Sequence, residues 1–239
     1  MKNILITGAT SGIGRELALQ LAEAGNKVGL MGRRTEKLES IQKEIGENAF
    51  IRTLDVTDLE KAENVYRDLI DEMGGMDMMI LNAGVGVDKI MSPWKADKLT
   101  IEVNVLAFSH GLHFAFDFFR RQGHGHIVGM SSIASHLASY KAAVYTASKH
   151  FVSNYMTGFR QKAKRLPADI TVTDIKPGFV KSEMTENVPR MFWVAETDKA
   201  VKQMVKGLDK KRNIVYITKR WMLVAWLARL IPQFIWDRI

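Results

Sequence analysis

Tyr145 and Lys149 stand four residues apart in Tyr145-Thr146-Ala147-Ser148-Lys149, a spacing that puts both side chains on one face of a helix. A phenol titrates near 10 in isolation and is a poor base at neutral pH. A cation held beside it favours the phenolate and lowers that value. Lowering it by roughly 3 corresponds to about 4 kcal/mol of differential stabilisation, enough for proton transfer at working pH. Ser132 lies 13 residues upstream, just after the apolar run 126–130. A hydroxyl there can hydrogen-bond a substrate oxygen as charge develops on it. By themselves a Tyr and a Lys at this spacing are ordinary helix-surface residues. Their company in the chain gives them meaning.

A second group of residues suits a phosphate. Thr7-Gly8-Ala9-Thr10-Ser11-Gly12-Ile13-Gly14 follows an apolar run and opens a helical pattern. Gly8 permits a tight turn, Gly12 lets the backbone approach a diphosphate, and Gly14 lets helix and strand pack closely. The free N–H groups and positive dipole end of the helix then face the anion. The spacing differs from the simple G-x-G-x-x-G fingerprint, and a plain tight β–α turn is the competing reading. The next strand-like run ends Leu30-Met31-Gly32-Arg33-Arg34. Gly32 takes the place where a cofactor without a 2′-phosphate wants Asp or Glu. Arg33 suits stacking on adenine and pairing with a 2′-phosphate, with Arg34 as a second partner, so NADP(H) is expected rather than NAD. A solvated basic turn is the alternative.

These residues need a scaffold, and the chain supplies one. Apolar runs at 3–7, 27–31, 49–54, 78–81, 126–130, 170–175 and 214–217 read as strands. Helical patterns at 12–25, 35–46, 58–73, 97–121, 143–166 and 196–208 separate them. Strands apolar on both faces, alternating with helices, mean a parallel sheet covered on both sides. With 239 residues, 46% of them hydrophobic, and no repeat or linker, one domain over 1–239 is expected. The absence of cysteine excludes disulfides, thiolate metal sites and a Cys nucleophile, and fits a reducing, cytoplasmic compartment. The first three residues run straight into a strand-like run, so no cleavable signal is expected.

The motifs occur together in the order and spacing of the short-chain dehydrogenase/reductase family, which the chain resembles from residue 2 to about 217. They are the glycine loop of 7–14, Asn82-Ala83-Gly84, Asn104, Ser132, Tyr145 through Lys149, and Pro177-Gly178. The resemblance implies an α/β, three-layer, doubly wound Rossmann fold with a seven-stranded parallel sheet and the active site at the strands' C-terminal ends. It implies Tyr145 as general acid/base and Lys149 holding the nicotinamide ribose and lowering the tyrosine's pKa. Ser132 would position the carbonyl or alcohol, and Asn104 would anchor a water-linked proton relay through Lys149. Asp55 and Val56 would bracket adenine, and Asn82, Ala83 and Gly84 would line the cofactor cleft. Pro177, Gly178, Val180 and Ser182 would face the carboxamide, with Ser182 standing where the family usually has Thr. Leu81 replaces the first of the family's commoner paired Asn residues.

The family places its mobile substrate lid at 183–198, and here that segment contains Met184, Val188, Met191, Phe192, Trp193 and Val194. Apolar, Met-rich lining suits a lipophilic substrate, with ordinary helix packing as the alternative. Phe108, Phe114, Phe116, Phe118 and Phe119 read as a buried helix or a helix-pair interface, and the resemblance favours a homodimer or homotetramer through it. His136 belongs either to the substrate pocket or to a surface loop. The other histidines lack partners for a metal, and none is expected.

Formal net charge is +8, but residues 1–150 hold 17 Lys/Arg against 18 Asp/Glu, whereas 199–239 hold 10 against 2. The surplus flanks an apolar tail, 219–239, carrying three of the five Trp residues. A peripheral membrane contact, a cap on a pocket, and packing between subunits are all open for it. Arg229 and Pro232 argue against a membrane span. Nucleic-acid binding is not expected, because no recognition motif accompanies the charge. The leading function is reversible hydride transfer between a carbonyl and a secondary alcohol. An idle NADP-binding sensor or scaffold and a membrane-associated lipid-binding protein are the competitors.

Overall fold

The structure is a computed structural model, and it describes residues 1–86, 90–186, 191–228, 230–236 and 238. In chain order the elements begin with β1 (Asn3–Thr7), α1 (Gly12–Glu23), β2 (Lys27–Gly32), α2 (Thr35–Ile45), β3 (Ala49–Thr53) and α3 (Leu59–Met73). There follow β4 (Met78–Leu81), α4 (Trp94–Ile101), α5 (Phe108–Gln122), β5 (His124–Met130) and α6 (Ala143–Ala163). Then come β6 (Asp169–Pro177), α7 (Thr197–Asp209), β7 (Ile214–Ile217), α8 (Arg220–Ala228) and α9 (Gln233–Trp236). The seven strands form one parallel sheet in the order β3-β2-β1-β4-β5-β6-β7. This is the expected doubly wound Rossmann arrangement, and its order reverses between β1 and β4.

Both sheet faces are covered, which is why the strands are apolar throughout. Every residue of β4 is buried. On one face α3, α5 and α6 pack through residues such as Tyr66, Phe119 and Phe159. On the other, α1, α2 and α7 contribute Leu17, Leu38 and Met204. Helix α1 buries Gly14, Leu17, Ala18 and Leu21, an i, i+3, i+4, i+7 stripe laid along the sheet. Helix α3 starts where the Asp58 carboxylate accepts from the Lys61 N–H at 3.1 Å and stops at Gly74 in the left-handed region. Each fully buried Leu in these stripes contributes about 2 kcal/mol of transfer free energy.

Two stretches differ from the sequence reading. The helix expected over 97–121 begins at Trp94 and carries a π-helical turn, Glu102–Ala107, between α4 and α5. Buried Asn104 sits in that widened turn, bonded to the backbone of Val85, so a side chain aimed at a neighbouring loop coincides with the local departure from i→i−4 bonding. The apolar tail is also helical. Trp221, Ala225 and Ala228 form the buried face of α8, held by Ile133, Phe179 and Tyr216.

Candidate functional site

A cavity of about 520 Å³ opens at the C-terminal ends of the strands, over the β1/β4 crossing. The glycine loop forms one wall. Gly8 has φ +69°, where a side chain would be strained, and a β-carbon at Gly14 would lie only 2.2 Å from the Gly8 carbonyl oxygen. The chain can turn and α1 can start this close to the strand because neither residue has one. Thr10, Ser11, Gly12 and Ile13 complete the loop wall. Asn82 ties β4 to β1, its Nδ2 donating to the carbonyls of Thr7 (3.1 Å) and Gly8 (3.0 Å). Asn82, Ala83 and Gly84 line the cavity beside it.

The residues expected at the adenosine end also line the cavity. Asp55 and Val56 line the cavity, and the Asp55 carboxylate accepts from Thr57 and stands 4.0 Å from Arg33. Arg33 is largely exposed. Arg34 is engaged: Nη2 and Nε donate to Thr10 Oγ1 at 3.0 and 3.3 Å, and Nη1 reaches Glu183 at 2.8 Å. Lys37 meets the other Glu183 oxygen at 2.5 Å. Hydrogen bonds from Lys37 and then Arg34 hold the Glu183 carboxyl down to about 2.

Opposite the loop stand Ser132, Tyr145 and Lys149, all in the cavity wall. Ser132 follows β5 and caps a short 3₁₀ turn, Ile133–His136, its Oγ accepting from the Ala134 N–H at 3.1 Å. Tyr145 and Lys149 share a face of α6, with Nζ 5.7 Å from the phenol ring centre. Nζ donates to the Met130 carbonyl at 2.9 Å. Burial pushes the Lys149 ammonium down to about 8, with the Asp174 charge opposing. Burial raises the Tyr145 hydroxyl above its ordinary range, and a hydrogen bond with Ser132 works the other way. In the protein alone burial sets the direction, and the group that opposes it is Ser132 rather than Lys149. Asn104 is not in the wall. Its amide bonds Val85 and, at 3.0 Å, Ser148 Oγ, and a β-carbon at Gly84 would meet both Asn104 Oδ1 and Lys149 Nζ at 3.4 Å.

Pro177, Gly178, Val180 and Ser182 close the far end. Ser182 caps the short turn Glu183–Thr185 and lies against Gly12. Of the expected lid, 183–186 and 191–198 are described, with Met184, Phe192, Trp193 and Val194 exposed; Val188 lies outside the described residues, as does Arg229 in the tail. His136 stands against Tyr216 rather than in the cavity wall. Sequence reasoning missed Glu183, Thr185, Lys37 and Gly86. Glu183 and Lys37 act through an ion pair across 146 residues, and no local pattern marks such a pair. Gly86 abuts the Tyr145 ring, which only the fold brings near. Among the described residues, no group of three His, Cys, Asp or Glu could hold a metal ion.

A parallel sheet with a glycine loop and a helix N-terminus at the point where strand order reverses defines a dinucleotide-binding architecture. The profile of the short chain dehydrogenase family matches residues 2–192, and the chain belongs to that family. An uncharacterized oxidoreductase of Mycobacterium tuberculosis is 33% identical over 238 residues, covering 96% of this chain and 92% of that protein. A short-chain dehydrogenase from Sphingobium yanoikuyae, solved with NADPH, superposes with TM-score 0.83 at 23% identity, over 96% of this chain and 94% of that one. A Burkholderia phymatum short chain dehydrogenase/reductase, solved with NAD, gives TM-score 0.86 at 19% identity, over 95% and 92%.

Proposed function

We propose that the protein is an NADP(H)-dependent oxidoreductase that interconverts a carbonyl and a secondary alcohol on a lipophilic substrate. The observation that carries this reading is the meeting of Ser132, Tyr145 and Lys149 in one wall of the cavity whose other wall is the glycine loop. The residues fit a dinucleotide: side chains at Gly8 and Gly14 would fill the cradle, and Arg33, Arg34 and Lys37 gather cations at its mouth. Hydride for the carbonyl carbon is the chemistry that a bound dihydronicotinamide supplies.

This chain's own residues manage the oxygen. Ser132 donates a hydrogen bond to it as negative charge develops. Tyr145 gives up its hydroxyl proton to the same oxygen. Its raised pKa keeps that proton in place until transfer, which suits reduction. Lys149 restores the proton, and its value near 8 lets it exchange at working pH. Asn104 holds the Val85 backbone and Ser148 and so steadies the floor beneath Lys149. Met184, exposed and in the cavity wall, supports an apolar substrate, and Phe192 and Trp193, also exposed, pack against Trp221.

The reading extends to the setting. The protein works in the cytoplasm as a homodimer or homotetramer, with Leu106, in the π-helical turn before α5, and Phe151, on α6, exposed. Its tail rests on an anionic membrane surface. Helix α8 is apolar all round: Trp221 and Ala225 face inward, while Met222, Leu223, Trp226 and Leu227 are exposed, with Leu230 continuing the stripe. Lys219 and Arg220 stand at its start, the pairing of aromatic and basic residues that suits a lipid interface and repels a second identical copy. Among the described residues no helix is long and apolar enough to cross a membrane.

The test is NADPH oxidation measured against short and long aliphatic aldehydes, cyclic ketones and aromatic diketones, with Tyr145→Phe alongside. Turnover by the native protein, lost roughly 1,000-fold or more in the variant with NADPH binding kept, is the expected result. A native protein that binds NADPH and turns over no carbonyl would instead be a sensor or scaffold.

A further inference from the structure

Behind Ser132 lies a pair of buried charges that, apart from the pull of Asp174 on Lys149, the mechanism above does not use. Asp174 and Lys176 are two apart on β6 and point to the same side of the sheet, with side chains only 1% and 2% exposed. Lys176 Nζ is 3.0 Å from Asp174 Oδ2. The ammonium also donates to Ser135 Oγ at 2.7 Å and to Ser153 Oγ at 2.5 Å, and Ser153 donates to Asp174 Oδ2 at 2.9 Å. Ser131 Oγ donates to Asp174 Oδ1.

The network grips both sides of one residue. Ser131, immediately before Ser132, is held by the carboxylate. Ser135 Oγ, held by the ammonium, donates to the Ser132 carbonyl at 2.7 Å. Ser132 itself has a loose hydroxyl contact to Pro177 O, at 3.4 Å, and accepts from Ala134 N–H. Its hydroxyl also bonds Tyr145, while the turn that carries it is tied from both directions. Burying two charges is costly, and apolar residues of the same volume would fill the space at least as well. A fully connected polar network is instead a means of fixing one geometry.

We propose that Asp174 and Lys176 are positioning residues for the carbonyl chemistry: acting through Ser131 and Ser135, they hold the Ser132 hydroxyl where the substrate oxygen meets it. This rests on Ser132 being the donor to that oxygen.

The experiment is a mutant cycle on the full-length protein, using whichever panel carbonyl the native enzyme reduces fastest. Asp174→Asn combined with Lys176→Met removes both charges together and leaves no lone buried ion. The expected result is a fall in kcat of roughly 10- to 100-fold, the scale of a misplaced catalytic group, with the NADPH dissociation constant unchanged within about 2-fold. Ser132→Ala also lowers kcat, and adding it to the paired variant lowers kcat no further, because both act at one hydroxyl. Independent, multiplying losses overturn the proposal, as does an unchanged kcat in the paired variant. If Ser132→Ala alone leaves kcat intact, the underlying functional reading fails instead. Should the paired variant not fold, Ser135→Ala decides, since it cuts only the link from the ammonium to the Ser132 carbonyl. A fall in kcat of roughly 3-fold or more with NADPH binding and melting temperature retained supports the proposal, and an unchanged kcat overturns it.

Discussion

Arg34 and Glu183 meet across the mouth of the cavity, Nη1 to Oε2 at 2.8 Å, although 149 residues separate them in the chain. With Lys37 on its other oxygen, the Glu183 carboxylate holds two of the three cations proposed to gather at the mouth for a 2′-phosphate. Glu183→Gln therefore frees them, and NADPH binds roughly 2- to 5-fold more tightly, the scale of an exposed ion pair. NADH affinity stays as it was. Fluorescence titration with both nucleotides reads this, and equal gains for both would contradict it.

Arg33 is the less constrained of the neighbouring arginines, exposed and 4.0 Å from Asp55. Arg33→Asp places a carboxylate where the phosphate would lie. NADPH affinity falls roughly 10-fold or more, while NADH affinity holds or rises. Intact NADPH affinity in this variant would remove the argument for NADP preference.

His126, buried in β5, gives stability a pH dependence. Burial, reinforced by the charges of Lys2 and Lys211, lowers its pKa from 6.5 to about 4. Thr173 Oγ1 donates to the Arg212 carbonyl, so it accepts from His126 Nε2, and the ring is neutral with its proton on that nitrogen. Between pH 6.5 and 4 the unfolded chain takes up a proton at this histidine that the folded one refuses. This contribution is complete above about 6.5 and is lost as pH falls through 4, for a total of about 3 kcal/mol. Urea unfolding of the native protein and His126→Gln across that range measures it; parallel pH curves would refute the assignment.

The outer face of α8 is testable apart from catalysis. The full-length protein sediments with vesicles containing phosphatidylserine, more weakly with neutral vesicles, and less as salt rises. Leu223→Ser with Trp226→Ser reduces vesicle binding roughly 10-fold or more and leaves NADPH binding unchanged. Unchanged sedimentation, together with a smaller species in gel filtration, would assign this face to a second copy of the chain.

The sequence by itself determined the seven strands, the covered parallel sheet and the glycine loop, because each is a local pattern: apolar runs of fixed period and residues without a side chain at a turn. Tyr145 and Lys149 were legible for the same reason, as a helix fixes i and i+4. Only the tertiary structure decided what those groups experience. The protonation of Tyr145 depends on how deeply the fold buries it, and burial raises it against the opposing hydrogen bond from Ser132. The Glu183 contacts with Arg34 and Lys37, and the hold of Asp174 and Lys176 on the Ser132 turn, join strands and loops far apart in the chain. Electrostatics and hydrogen bonding act over a few ångströms of space, so such pairs leave no mark in spacing. The C-terminal surplus of charge was plain from composition, whereas the exposed apolar face of α8 beside it is defined only by the turning of Trp221 inward against Phe179.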